Sequence, residues 1–242
     1  MDNSGNLAFA VYGYMNRGEH EGEAGVGIYY FDVERNLIQE KAFIPSKKSY
    51  AIAADELGKM VYYNHAEEQL YVLADGTLYQ VDLKKNKQTT LAENLKEGQY
   101  AVSSDGHLMA YESEGNKKGG TEIQVMNLSS LHTYIVEAAE GEQISPLGFV
   151  NGDFIYGKMK SEDAGKKASG ESITPMYELE IRNSKNKKVA SYSFVDKGIY
   201  ISDILIDDNM VTLNRVEKSG DIYNVTSQEF ITVSYTHLTL PT

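Results

Sequence analysis

The chain has 242 residues and contains neither cysteine nor tryptophan. Without cysteine there can be no disulfide, no thiolate metal site and no cysteine nucleophile, while reducing and oxidising compartments both stay open. No apolar run is long enough to span a bilayer, and no signal peptide follows Met1. Cations are outnumbered, Lys and Arg together giving 23 against 35 for Asp and Glu. The resulting net charge of −12 disfavours nucleic acid and anionic membrane surfaces as partners. Catalytic signatures are also missing. There is no Gly-x-Ser-x-Gly elbow and no phosphate-binding P-loop, and Gly22 to Gly27 does not fit the dinucleotide fingerprint. Ser184-Lys185-Asn186-Lys187 matches Ser-x-x-Lys without its companion motifs, in a stretch that reads as a turn. The sequence therefore assigns no catalytic residue, no cofactor and no metal, and the chain reads as non-enzymatic over its covered length. Helical periodicity is hard to find, the Ala138 to Gln143 run being too brief to count.

What is present is alternation. In Gln99 to Leu128, Tyr100 and Val102, then Leu108 and Ala110, alternate with polar or small partners, the period of a strand with one buried face. Between them lies Ser103-Ser104-Asp105-Gly106, a hairpin turn in which Asp-Gly supplies positive φ. Ile123, Val125 and Leu128 resume a third strand, and Tyr134 to Val136 a fourth. A glycine corner with a strand recurs at Gly5 to Phe9, Gly58 to Tyr62, Gly106 to Tyr111 and Gly152 to Tyr156, and more weakly at Asp208 to Val211. The third strand recurs at Ile28 to Val33, Leu78 to Leu83, Ile123 to Leu128, Tyr177 to Ile181 and Ile222 to Val225. The two series interleave with a period of roughly 50 residues, where four-stranded propeller blades fall. The expected fold is all-β, a partial β-propeller of about five four-stranded antiparallel blades. The expected blades are 1–45, 46–95, 96–140, 141–196 and 197–232.

Ser103 to Tyr111 followed by Glu122 to Leu128 resembles the TolB-type, WD40-like propeller repeat, with Ser104 where that repeat usually has proline. The resemblance covers one repeat of about five and brings no catalytic residues. It implies a propeller, and such propellers serve as scaffolds, as peptide-binding modules and as gating domains of prolyl-oligopeptidase-like serine hydrolases. The function it implies is a protein-, peptide- or ligand-binding module within a larger exported or envelope-associated bacterial protein. The alternative is the gating propeller of a hydrolase whose catalytic domain lies outside this chain. An extracytoplasmic or cell-envelope location follows from the same resemblance.

Strand alternation within a blade sorts the loops onto two faces. First-to-second and third-to-fourth turns read as short. Second-to-third loops read as long: Met15 to Ala24, Glu112 to Gly120, Lys158 to Pro175 and Glu217 to Gly220. Elaborated loops on a rigid scaffold usually carry binding. The most unusual is Met15 to Glu23, where Arg17, Glu19, His20, Glu21 and Glu23 crowd between and around Gly18 and Gly22. Its spacing matches no defined metal motif, so a partner or ligand contact is the expectation, with divalent-metal binding at His20 a lesser one. Lys158 to Pro175 has the composition of a flexible insertion. His65, His107 and His132 read as surface or turn residues, and the third-strand tyrosines Tyr29, Tyr30, Tyr79, Tyr177 and Tyr223 as packing residues. Asn127-Leu128-Ser129 and Asn224-Val225-Thr226 match glycosylation acceptors but fall in strands.

The last ten residues, Val233 to Thr242, resemble a translated sequencing-library adapter and are read as a non-native tail, which removes His237 from any site argument. On that reading the natural chain continues past Thr232, and Met1 can be an internal start.

Overall fold

Alternating strands of this length can bury one face only by stacking on another sheet, and the computed structural model shows four sheets. It describes residues 5–113 and 120–233. The tail from Ser234 onward, with His237, lies outside them, as does most of the loop after Glu112.

The chain forms two compact units, Met1–Lys96 with Leu128–Leu131, and Glu97–Asn127 with His132–Thr242. In the first unit, β1 (Leu7–Tyr14), β2 (Ala24–Asp32) and β3 (Leu37–Pro45) form a three-stranded antiparallel sheet. Helix α1 (Tyr50–Lys59) leads to a four-stranded meander of β4 (Val61–Asn64), β5 (Gln69–Ala74), β6 (Thr77–Asp82) and β7 (Lys87–Ala92). Ala8, Val26, Ile28 and Ile44 of the first sheet pack against Leu70, Val72, Ala74, Val81 and Leu83 of the second, Leu57 of the helix joining them.

In the second unit, β8 (Tyr100–Val102), β9 (Leu108–Glu112), β10 (Glu122–Asn127) and β11 (Thr133–Glu137) repeat the four-stranded meander. Next come β12 (Glu142–Val150), β13 (Asp153–Lys160), the short β14 (Gly165–Lys167) and β15 (Ser172–Ile173), β16 (Met176–Arg182) and β17 (Lys188–Ser193). The last elements are β18 (Ile199–Asp207), β19 (Met210–Ser219), β20 (Ile222–Val225) and β21 (Glu229–Thr232). Strands β12-β13-β16-β17 form a third meander, which joins the β18–β21 group at the pair Met176–Ile201. Strand β13 shows why the stack holds. Phe154 and Tyr156 point into a core with Ile123, Val125 and Val136, while Ile155 points the other way, among Leu179, Ile201 and Leu213. Both faces are buried over Phe154–Gly157, so this half of the strand carries no charged residue, and Phe154 and Ile155 each contribute about 1.5–3 kcal/mol on burial. The repeated antiparallel meander, stacked face to face, is the blade of a β-propeller, and the chain is an all-β partial propeller.

Four local readings are corrected. Tyr50 to Lys59, taken as the start of a repeat in a chain with no helix, is helical. The segment is alanine-rich, and Ala53 and Leu57 lie one turn apart on the face against the sheet. Gly58 is therefore no hairpin corner: Val61 opens the first strand of its sheet, and the tight Asp-Gly turn is at Asp75-Gly76, with φ of 53° and 69°. The insertion Lys158 to Pro175 is folded. It finishes β13, makes a 3-10 turn at Ser161–Asp163 and forms the β14–β15 hairpin, which pairs in parallel with β20. Finally, Glu217 to Gly220 is no loop, since β19 runs to Ser219 and turns directly into β20. Long connections between neighbouring antiparallel strands thus follow β1, β9 and β13.

Candidate functional site

The β1–β2 connection is built to project. Met15 N–H donates to the Glu23 carbonyl at 2.8 Å and Gly22 N–H to the Met15 carbonyl at 2.9 Å, closing the base of the loop. Gly18 and Gly22 take φ of +96° and +91°, which turns the chain back without side-chain cost. Arg17, Glu19, Glu21 and Glu23 are exposed. His20 alone folds back onto the sheet. Its ring lies flat on Phe43, centroids 4.1 Å apart at 14°, and its Nε2 is 3.4 Å from Glu40 Oε1.

Beneath the loop lies the sheet face opposite the core. Cross-strand register sets out its rows: Phe9, Tyr29 and Glu40; then Val11, Gly27 and Phe43; then Gly13, Gly25 and Pro45. The glycines leave room for rings to lie down. A Cβ on Gly27 would come 2.6 Å from Tyr29 Oη, and one on Gly25 would come 2.6 Å from Phe43 Cζ. Phe9 stacks on Tyr29 with centroids 5.6 Å apart. Burial and the nearby Glu40 carboxylate both push the Tyr29 phenol above its ordinary value. Glu40 is thus the register partner of Tyr29 and a neighbour of His20, while its own side chain stays 41% exposed. The structure brings His20 of the sequence-predicted set into this cluster and leaves the other four members on the loop rim.

Divalent-metal binding at His20 finds no support in the geometry: among the described residues, no group of three or more His, Asp or Glu side chains gathers as a metal site. His107 and His132 have local neighbours. His107 Nδ1 lies 2.5 Å from Asp105 in the hairpin turn. Burial pushes the Asp105 carboxyl up, but the Ser103 hydroxyl and the His107 ring and amide outweigh it and hold the group low. His132 sits 6.2 Å from the Tyr134 ring. The Ser184–Lys187 match is turn chemistry, with Asn183 Oδ1 accepting from the Lys185 and Lys187 amides. Of the third-strand tyrosines, Tyr30 and Tyr79 pack on the first unit's core, and Tyr177 packs beside buried Tyr223. Tyr29 is the exception and faces outward.

A second locus, in the other unit, is absent from the sequence reading. A depression of about 490 Å³ opens where β12 begins and β13 ends, lined by Glu140, Gly141, Glu142, Lys160, Ser161 and Glu162. Tyr177 donates its hydroxyl to Glu142, and Lys160 Nζ sits 5.0 Å over the Tyr177 ring. The one sequence signal was Glu140-Gly141-Glu142 ahead of a strand, masked by the brief helical pattern of Ala138 to Gln143.

No family model matches the chain. No curated protein matches it either. Solved structures do. The β-propeller domain of the Trilobed protease from Pyrococcus furiosus is 9% identical, covering 91% of this chain and 67% of that one at a TM-score of 0.38. The tricorn protease is 11% identical, covering 88% of this chain and 23% of that one at 0.42. Porphyromonas gingivalis dipeptidyl peptidase 4 is 9% identical, covering 94% of this chain and 44% of that one at 0.28. The chain thus spans less than half the length of the last two.

Proposed function

We propose that the chain is a propeller-type binding module that holds a protein or peptide partner at the β1–β2 loop and the sheet face beneath it. The observation supporting this is the way His20 is held. A loop residue stacks on Phe43 and pairs with Glu40, so a projecting polar loop is registered on a rigid sheet instead of standing free in solvent. Arg17, Glu19, Glu21 and Glu23 supply rim contacts, while the ring row supplies apolar area. The resemblance of Ser103 to Tyr111 to a TolB-type repeat supports an exported or cell-envelope setting within a larger protein.

The test is binding to an immobilised random-peptide array by the wild-type chain and by a chain whose Met15–Glu23 loop is replaced with a short Gly-Ser turn. The wild type is expected to retain a defined subset of peptides and the replacement to lose it. Equal retention by both chains, or none by the wild type, overturns the proposal. Covalent labelling of the full-length gene product by a fluorophosphonate would overturn its non-enzymatic part in favour of a hydrolase gating domain.

A further inference from the structure

We propose that the partner is cationic: an extended segment whose arginine or lysine side chains lie on the ring row of the β1–β3 face and pair with Glu40. The inference rests on the binding reading above and names the chemistry of its occupant.

Three observations carry it. The first is the surface itself. Phe9 with Tyr29 and His20 with Phe43 form two stacked pairs of half-buried rings, Tyr29 laid over Gly27 and Phe43 over Gly25, with Val11 45% exposed beside them. Rings in ordinary packing present edges and faces to other side chains. Here Tyr29 lies over a residue with no side chain, the flat arrangement that a guanidinium or ammonium group seeks. The second is charge. The loop and face together carry Glu19, Glu21, Glu23 and Glu40 against Arg17, four carboxylates and one guanidinium, within a chain of net charge −12. An acidic or neutral partner would leave that excess uncompensated, while a basic one is steered towards it. The third is the placement of Glu40. It is the carboxylate that stands among the rings, the register partner of Tyr29 and 3.4 Å from His20 Nε2, and its side chain is 41% exposed. A carboxylate beside a π-face offers a guanidinium both a charge-assisted hydrogen bond and a stacking surface. The rows from Phe9 to Glu40 and from Val11 to Phe43, separated on β3 by a bulge at Lys41, suit an extended chain crossing the strands, with alternate side chains directed at the sheet.

The experiment is calorimetric titration at low salt with a peptide of about ten residues alternating arginine and glycine. Controls are the same peptide with citrulline for arginine, and a neutral oligosaccharide. The arginine peptide is expected to bind. The citrulline peptide, which keeps the shape and loses the charge, is expected to bind at least about tenfold more weakly, a difference of about 1.4 kcal/mol. Glu40→Gln should weaken arginine-peptide binding by a similar factor with an unchanged melting temperature. Equal binding of the arginine and citrulline peptides, or indifference to Glu40→Gln, overturns the cationic assignment while the loop-face reading stands. Oligosaccharide binding in place of peptide binding overturns it in favour of a sugar. Failure of the whole random-peptide array to bind sinks the parent reading as well.

Discussion

The Glu180 carboxylate on β16 lies 2.6 Å from Lys158 Nζ on β13, and Glu180 is only 2% exposed. Arg182 Nε approaches the other oxygen at 2.7 Å, and Glu178 takes Lys158 at 2.9 Å. A buried carboxylate is tolerated in a central strand only because these donors replace water. Removing its charge leaves Lys158 with Glu178 alone and Arg182 with only the neutral Tyr156 and Asn186. Glu180→Gln is therefore expected to cost roughly 3 kcal/mol in urea unfolding, the scale of breaking a buried pair from one side.

The same group sets an acid limit. Burial pushes Glu180 up, but the Lys158 ammonium, the Tyr156 hydroxyl and Arg182 outweigh it, and its carboxyl sits below the ordinary value of 4.5. A depressed carboxylate contributes stability in full above its unfolded value and loses it as pH falls through its folded one. Stability should therefore fall from about pH 5 downward in the wild type, and Glu180→Gln should flatten that limb when urea midpoints are compared.

Glu56 ties helix α1 to the Asp75-Gly76 turn. Its carboxylate accepts from the Asp75 amide at 2.8 Å and the Gly76 amide at 3.1 Å, and pairs with Lys48 at 2.6 Å. Charge-assisted bonds of this kind each contribute about 1.5–3 kcal/mol. Glu56→Ala is expected to lower stability by about 2 kcal/mol. Gly76→Ala should act in the same direction, since its φ is +69° and a Cβ would sit 2.7 Å from the Leu95 carbonyl oxygen. Thermal melts of both variants check this.

The glycines under the ring row differ in a testable way. A Cβ on Gly25 would collide with the Ile44 backbone carbonyl, whereas the nearest atoms to one on Gly27 belong to the movable end of Tyr29. Gly25→Ala should destabilise by about 1–3 kcal/mol. Gly27→Ala should fold nearly as well but displace the Tyr29 ring, weakening partner binding. A calorimetric melt and a peptide titration on the two variants separate the effects.

The β14–β15 hairpin is pinned through Asp163. Tyr223 donates to its carbonyl at 2.7 Å, Tyr200 to its carboxylate at 3.0 Å, and Lys218 lies 3.4 Å away. Tyr223→Phe should raise amide exchange across residues 161–173 while leaving the core strands β18 and β19 protected.

Alternation made the meanders legible: Tyr100 to Val102, Leu108 to Glu112 and Ile123 to Asn127 need only their period of two and an Asp-Gly turn. Helix α1 was hidden because ten residues hold too few turns to show a period, and Gly58 imitates a hairpin corner. The 158–175 insertion looked flexible because its composition is polar. Its order comes from tertiary partners, Asp163 with Tyr223 and β14 with β20, which no local window contains. At the site, the loop from Arg17 to Glu23 stood out by charge density. Glu40, Phe43 and Tyr29 did not, since they are ordinary strand residues until the register sets them beside His20.

The most direct test of the central claim is amide-resolved NMR of the chain titrated with a peptide retained on the random array. Shifts are predicted to concentrate in Met15–Glu23 and at Tyr29, Glu40 and Phe43. Shifts confined to Glu140–Glu142 and Lys160–Glu162, with the β1–β3 face unmoved, would contradict the account.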